Sequence, residues 1–339
     1  MVKRTVVLAF AFFFLISLNA VFAQRGTARA DVVNIRFASP LPRNSEWGRA
    51  LDRLAADWAR VTDNAVRVVI THDGREGSEA RMLSSLSSNA IQAGLFTSGG
   101  ISKICPPIMT LSIPFMIRND EEFNTVFNAV RPYLESRVDN NFVIISWSKG
   151  GWVYVFSQEP VFAPEDLRRQ RIATNEETRD INQAFRAMGF TLVETEIASL
   201  APRLASNMIN AIYFLPEMIA PMQLHRHLRN MLNIPIAPFV GAIVINRVTW
   251  NQISPAHQQE IIRVTQRVAA EFDAAMPRTK AAAIASMDRS GLRVNTPTPA
   301  QERLWRTEIE KAMPALIGNV FDRELYQQIN TVLQRIRSE

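Results

Sequence analysis

The first part of the chain alternates strand-like and helix-like segments, and this order constrains the fold more than any other feature. Residues 33–37 alternate apolar and polar side chains as a half-buried strand does. Apolar side chains recur at helical spacing over 51–61, and a second strand-like run covers 66–70. A helix is predicted over 79–87 and a third strand over 91–96. This β-α-β-α-β order predicts a mostly parallel sheet with helices on both faces.

A second set of elements is predicted after Gly150 and Gly151, because paired glycines commonly interrupt a strand. The mixture of strand-like and helix-like segments continues beyond them, which predicts a second α/β region. Around this break we expect a helix over 120–138, strands over 142–147, 152–156, 171–174 and 208–214, a helix over 178–188 and apolar β-like chain over 231–246.

The last third of the chain is predicted to be mainly helical. Ser254 before Pro255 places a capping side chain ahead of proline at the first helical position, and helical spacing continues to about Met287. Pro277 lies inside this long helix and is expected to kink it, because proline removes one backbone hydrogen bond. Two further helices are predicted over 298–317 and 322–337.

The chain begins with the features of a secretory signal peptide, predicted over 1–23. Lys3 and Arg4 precede an apolar run, and small residues complete a cleavage pattern. A polar linker over 24–31 follows, and an uncleaved signal would act as a membrane anchor. Because the only cysteine is Cys105, the exported protein must be held together by its core. At 47% hydrophobic and 21% charged residues, we expect two domains.

No motif favours catalysis, a cofactor or a metal site. The sequence has no glycine-rich phosphate loop, no nucleophile elbow and no Cys pair. His225 and His227 would not share a helix face, so an exposed polar turn is the simpler interpretation. Cys105 is interpreted as a buried, inert thiol. The formal charge of +6 arises from basic residues scattered among acids, which argues against nucleic-acid binding.

Four short motifs, in order along the chain, resemble one protein family. They identify the chain as similar to the solute-binding proteins of TRAP (tripartite ATP-independent periplasmic) transporters, possibly the subgroup that pairs with a TPR-repeat protein. Such proteins are not enzymes. The motifs are Gly77-Ser78-Glu79, Leu111-Ser112-Ile113-Pro114-Phe115, Pro164-Glu165-Asp166-Leu167 and the run from Trp250 to Pro255.

The resemblance implies an α/β fold of the two-lobed periplasmic-binding-protein type (type II). Mixed β-sheets flanked by helices would form each lobe, with hinge strands and a long kinked helix crossing both. The implied partners are a small-molecule ligand, the membrane permease subunits and, for the subgroup, a periplasmic TPR protein, with no cofactor. The implied lobes are 32–151 plus 240–276 and 152–239 plus 277–339, with the cleft between them.

Three positions depart from the family pattern in the expected cleft. A family strand usually carries a ligand-gripping arginine as the third residue of a Lys-Ile/Leu-Arg triplet, and here that residue is Ala173. A second basic residue, usual in a Gly-x-Arg pattern, corresponds to Val153. An asparagine that often faces the ligand corresponds to Phe214. All three changes replace a polar contact with an apolar one.

These replacements predict a hydrophobic or amphipathic ligand, such as a fatty-acid-like or lipid-derived compound. A buried organic anion without a charged partner costs several kcal/mol, whereas each buried methylene gains about 0.8 kcal/mol. In the alternatives, Arg171 or a bridging water holds a polar anion, or the protein is a lipid-handling chaperone without a permease. Glu79 is either a helix cap or a ligand contact. Further candidate lining residues are Phe156, Ile197, Met218, Phe115 and Trp47.

Overall fold

The computed structural model describes residues 32–174 and 179–338. The predicted signal peptide and linker over 1–31 therefore lie outside the described residues. None of the helices within these two ranges combines the length and apolarity that a membrane span requires. The fold is α/β, as predicted, and its elements follow in chain order.

The strands are short except for β4 and β9. They are β1 (Val33–Ala38), β2 (Val66–Thr71), β3 (Ala93–Thr97), β4 (Phe142–Ser157), β5 (Arg171–Thr174), β6 (Thr191–Glu194), β7 (Ala211–Phe214), β8 (Asn230–Leu232), β9 (Ala237–Asn246) and β10 (Arg293–Asn295).

The helices range from single turns to the long α10. They are α1 (Glu46–Val61), α2 (Glu79–Ser87), α3 (Ser98–Ile101), α4 (Asp120–Ser136), α5 (Pro164–Arg168), α6 (Arg179–Ala187), α7 (Leu200–Ala205), α8 (Pro216–Ile219), α9 (Arg247–Gln252), α10 (Pro255–Arg289), α11 (Pro299–Leu316) and α12 (Arg323–Ser338). Short 3-10 helices cover Pro106–Ser112, Ile197–Ser199 and Leu224–Arg226.

The strands form one mixed sheet in the order β2-β1-β3-β9-β4-β7-β5-β6, with β8 pairing to β4 and β10 to β8. Strand β1 is parallel to both β2 and β3, which confirms the arrangement predicted from the β-α-β-α-β order. Strand β9 is antiparallel to β3 and β4. The sheet is therefore mixed and flanked by helices, as the fold class requires.

Strand β4 joins the two halves of the sheet, and the predicted break at Gly150 and Gly151 is wrong. Residues 142–153 pair with β9, whereas residues 154–157 pair with β7. The strand continues because the irregularity is absorbed as register shifts, one of them between Lys149 and Gly151. Gly151 has a φ of +115°, a conformation that glycine adopts without a side-chain clash.

The helical prediction for the C-terminal third is confirmed. The Ser254 side chain accepts a hydrogen bond from the His257 amide at the start of α10, and the helix continues through Pro277. The apolar stretch 231–246 forms two strands, β8 and β9, with Pro235 between them and Pro238 near the start of β9. His225 lies in a short 3-10 turn, in agreement with the predicted turn. Cys105 is buried, and burial raises the pKa of its thiol to about 11.

Candidate binding cavity

A cavity of about 260 Å³ lies where strands β4, β7 and β5 run side by side. Val153 and Val155 of β4 are two residues apart, so they project from one face of the strand. Val155 is paired with Tyr213 of β7, which places Tyr213 on that same face. Ile172 and Ala173 of β5 follow in the neighbouring strand. Helices α6 and α11 cover the cavity with Phe185 and Trp305 among other side chains.

The cavity wall is mainly aromatic and aliphatic. Among the described residues that line it, there is no lysine, arginine or histidine. Residues 175–178, which lie outside the described ranges, are Asn-Glu-Glu-Thr and also contain no basic residue. A buried carboxylate would therefore find no ion-pair partner in the described wall. The aromatic lining residues are Phe115, Phe185, Phe190, Tyr213, Phe214, Phe239, Trp305 and Phe321.

The two carboxylates in the wall are held by protein groups. Glu79 accepts hydrogen bonds from the Thr97 amide at 2.5 Å, from the Thr97 hydroxyl at 2.6 Å and from the Gly100 amide at 3.2 Å. Glu308 forms an ion pair with Arg168. Both carboxylates are therefore already satisfied by protein groups, and the described lining residues offer no cation with which an anionic ligand could form an ion pair.

The arginine-rich stretch at 168–171 does not line the cavity. Arg168 bonds to Glu308 and Glu165, and its Nε donates to the Met188 carbonyl at 3.0 Å. Arg171 donates from Nη2 to the Asn207 carbonyl at 2.7 Å and to its side-chain Oδ1 at 2.9 Å. These guanidinium groups are therefore already occupied by protein acceptors.

The three positions that depart from the family pattern meet at this cavity. Val153, Ala173 and Phe214 all line it, on the three adjacent strands β4, β5 and β7. Of the other candidates, Phe115, Ile197 and Glu79 also line it.

Four candidate residues lie elsewhere. Phe156 and Met218 are fully buried in the hydrophobic core and are not among the residues that line the cavity. Trp47 packs against Phe272 with a ring-centroid distance of 4.3 Å. Arg171, as described above, is bound to Asn207.

Several lining residues were not predicted from the sequence. Val155 and Tyr213 could have been found from strand alternation, because Val155 shares a face with Val153 and pairs with Tyr213. Helical spacing in α6 could have suggested Ile181 and Phe185 together. Trp305 belongs to α11, far along the chain from the strands, and no local pattern indicates its position.

A buried acidic residue lies near Gly151 of β4 but does not line the cavity. Glu217 of α8 is 6% exposed, and both its carboxylate oxygens lack a hydrogen-bond partner in the described part of the chain. A Cβ atom at Gly151 would lie 2.5 Å from Glu217 Oε1. Burial raises the pKa of Glu217 to about 7, with only partial compensation from Lys280.

The sequence matches a known family over most of its length. The family model of bacterial extracellular solute-binding proteins, family 7 (DctP), matches residues 37–318. The chain therefore belongs to this family, and the resemblance to TRAP solute-binding proteins is confirmed. No curated protein matches the chain.

Solved structures with the same fold include proteins of this type from several bacteria. A TRAP periplasmic solute-binding protein from Ralstonia eutropha with bound acetolactate has a TM-score of 0.83 at 16% identity, covering 89% of this chain and 99% of that one. One from Sulfurospirillum deleyianum with bound succinate has a TM-score of 0.81 at 14% identity, with coverages of 89% and 99%. The sugar acid binding protein from Advenella mimigardefordensis with galactonate has a TM-score of 0.82 at 13% identity, with coverages of 90% and 99%. These similarities establish the two-lobed fold.

Proposed function

We propose that this solute-binding protein captures a hydrophobic or amphipathic ligand, of the fatty-acid-like or lipid-derived kind, in the cavity between β4, β5 and β7. The observation that carries the proposal is the absence of any basic side chain among the described lining residues. An organic anion buried there would lose its hydration without gaining an ion pair, at a cost of several kcal/mol. An alkyl chain would instead gain about 0.8 kcal/mol for each buried methylene.

The similar structures carry small organic acids, so the proposal concerns a difference between this chain and those proteins. Acetolactate, succinate and galactonate are anions at neutral pH, and a binding site for them needs charge-assisted donors. In this chain Val153, Ala173 and Phe214 occupy the positions at which the family pattern usually supplies such donors. The exchange of three polar contacts for apolar ones supports a change in ligand class.

The proposed mechanism is closure of two lobes around the ligand without chemical change. We infer lobes of 32–151 plus 240–276 and 152–239 plus 277–339, with β4 and β9 as connecting strands. A ligand that contacts both lobes would favour the closed state by its extra contacts there. The closed protein would then deliver the ligand, in the periplasm, to membrane permease subunits. A TPR-repeat partner that shields an apolar ligand from water is part of the same proposal.

Extraction of the purified protein with organic solvent, followed by mass spectrometry, tests the ligand class. We expect a long-chain or lipid-derived compound in amounts comparable to the protein. The matched control is Val69→Glu, which changes an exposed residue on β2 and should retain the same compound. Recovery of a small polar acid as the main ligand would refute the proposal.

Arg171→Ala tests the alternative in which this arginine binds a polar anion. Because Arg171 bonds to Asn207 and does not line the cavity, we expect affinity for an alkyl ligand to change by less than about twofold. Calorimetric titration of both proteins provides the measurement. Selective loss of carboxylate binding in the variant would support the alternative.

A further inference from the structure

The polar side chains of the cavity wall differ in whether the protein satisfies them. The Ser98 hydroxyl donates to the Val240 carbonyl at 2.9 Å, and the Thr174 hydroxyl donates to Asn182 Oδ1 at 2.6 Å. By contrast, the hydroxyls of Tyr213 and Ser112 have no hydrogen-bond partner among the residues the structure describes. These two hydroxyls are therefore available to a ligand.

Tyr213 is the better placed of the two. It is paired with Val155, another lining residue, and it lies beside Phe214 along β7. The residue is 43% exposed, and desolvation by the surrounding protein raises the pKa of its phenol to about 12. Tyr213 is therefore a lining residue with accessible surface, and its phenol remains a neutral donor at physiological pH. An unpaired donor in such a site loses its hydration unless the ligand supplies an acceptor.

The surroundings restrict which acceptor fits. The carboxylates of Glu79 and Glu308 are already held by protein groups, and the described lining residues supply no cation for a charged ligand group. A charged head group would therefore lose its hydration without gaining an ion pair, whereas an alcohol, ester or protonated acid oxygen can accept a hydrogen bond at little electrostatic cost. The apolar remainder of the wall fits the alkyl part.

We propose that the Tyr213 hydroxyl donates a hydrogen bond to an uncharged oxygen of the ligand head group, so that the protein selects an amphiphile over a plain hydrocarbon. This inference rests on the proposed function, because it assigns one end of the apolar ligand to a defined donor. Tyr213 would thus hold the head group of the ligand at one end of the cavity and favour ligands that carry an oxygen there.

Displacement of the uncharged fluorescent probe N-phenylnaphthylamine from the full-length protein tests this. Decanol and decane, which share a ten-carbon chain, are compared in the wild type, in Tyr213→Phe and in Ser112→Ala. In the wild type, decanol should bind about tenfold more tightly than decane, the effect of one buried hydrogen bond. In Tyr213→Phe decanol should bind no more tightly than decane, and decane should bind at least as tightly as it does to the wild type, because no donor is then left without a partner. The preference for decanol should persist in Ser112→Ala.

The outcomes separate the two proposals. If decanol and decane both bind the wild type equally, or if Tyr213→Phe keeps the preference, the head-group assignment is wrong while the apolar site stands. Loss of the preference only in Ser112→Ala would also overturn the assignment to Tyr213. If neither compound displaces the probe, the proposed function fails and this inference fails with it. Thermal melting of each variant verifies that the fold is retained.

Discussion

Replacement of Ala173 by arginine is expected to weaken the binding of a long-chain alkyl ligand by at least about 100-fold. Ala173 lines the cavity on β5, at the position where the family pattern usually carries a ligand-gripping arginine. A guanidinium group there would bring a charge into an apolar wall. Binding of an alkyl chain would remove water from the guanidinium group. This loss of hydration costs several kcal/mol when no anion is present to pair with the charge. Calorimetric titration with decanol provides the measurement.

The matched control is Ala173→Met, which adds a side chain of similar length without a charge. Because methionine adapts to irregular apolar space, we expect it to reduce affinity by much less than arginine does. If the arginine variant binds succinate and the wild type does not, position 173 controls whether the cavity accepts an anion. If methionine and arginine weaken decanol binding equally, lost volume alone explains the effect and the electrostatic account of the cavity is wrong.

Replacement of Glu217 by glutamine is expected to remove a pH dependence of stability. Burial raises the pKa of this carboxyl to about 7 from its ordinary value of 4.5, so the folded state holds a proton that the unfolded chain releases. Below pH 4.5 both states are protonated and the group has little effect on unfolding. The free energy of unfolding then decreases as pH rises towards 7, and the loss reaches about 3 kcal/mol above it.

Urea denaturation at several pH values measures this effect. We expect Glu217→Gln to be more stable than the wild type by about 2–3 kcal/mol at pH 8 and similar to it at pH 4. Burial also raises the pKa of Asp273 to about 6. Its effect on the pH dependence of the unfolding free energy is the same in both proteins. Glu121→Gln, at an exposed site on α4, is the matched control and should leave the difference between pH values unchanged. A Glu217→Gln curve parallel to that of the wild type would contradict a buried, protonated Glu217.

The elements predicted well from the sequence are those with long, regular patterns. Strands β1 to β3 and helices α10 to α12 each extend over enough residues for periodicity to be clear. Strand β10 was missed because it has only three residues and lies at the edge of the sheet. The predicted break at Gly150 and Gly151 was wrong because glycines can form a bulge inside a continuous strand as well as end one. The sequence alone does not distinguish these two outcomes.

The cavity could be predicted only in part, for a related reason. Val153, Ala173 and Phe214 were found by matching short motifs to a family pattern, and the structure places them on adjacent strands. The motif match carries no information on how distant segments fold over those strands. Trp305 on α11 therefore had no counterpart in the prediction. Phe156, also predicted as a lining residue, is packed in the core, which the motif match could not indicate.

The central claim is that this cavity selects its ligand by apolar surface and not by negative charge. Calorimetric titration of delipidated protein with straight-chain alcohols of increasing length, alongside succinate, tests it most directly. The account predicts an affinity gain of about fourfold for each added methylene until the cavity is filled, with no measurable succinate binding. Tight succinate binding together with an affinity that does not depend on chain length would contradict it.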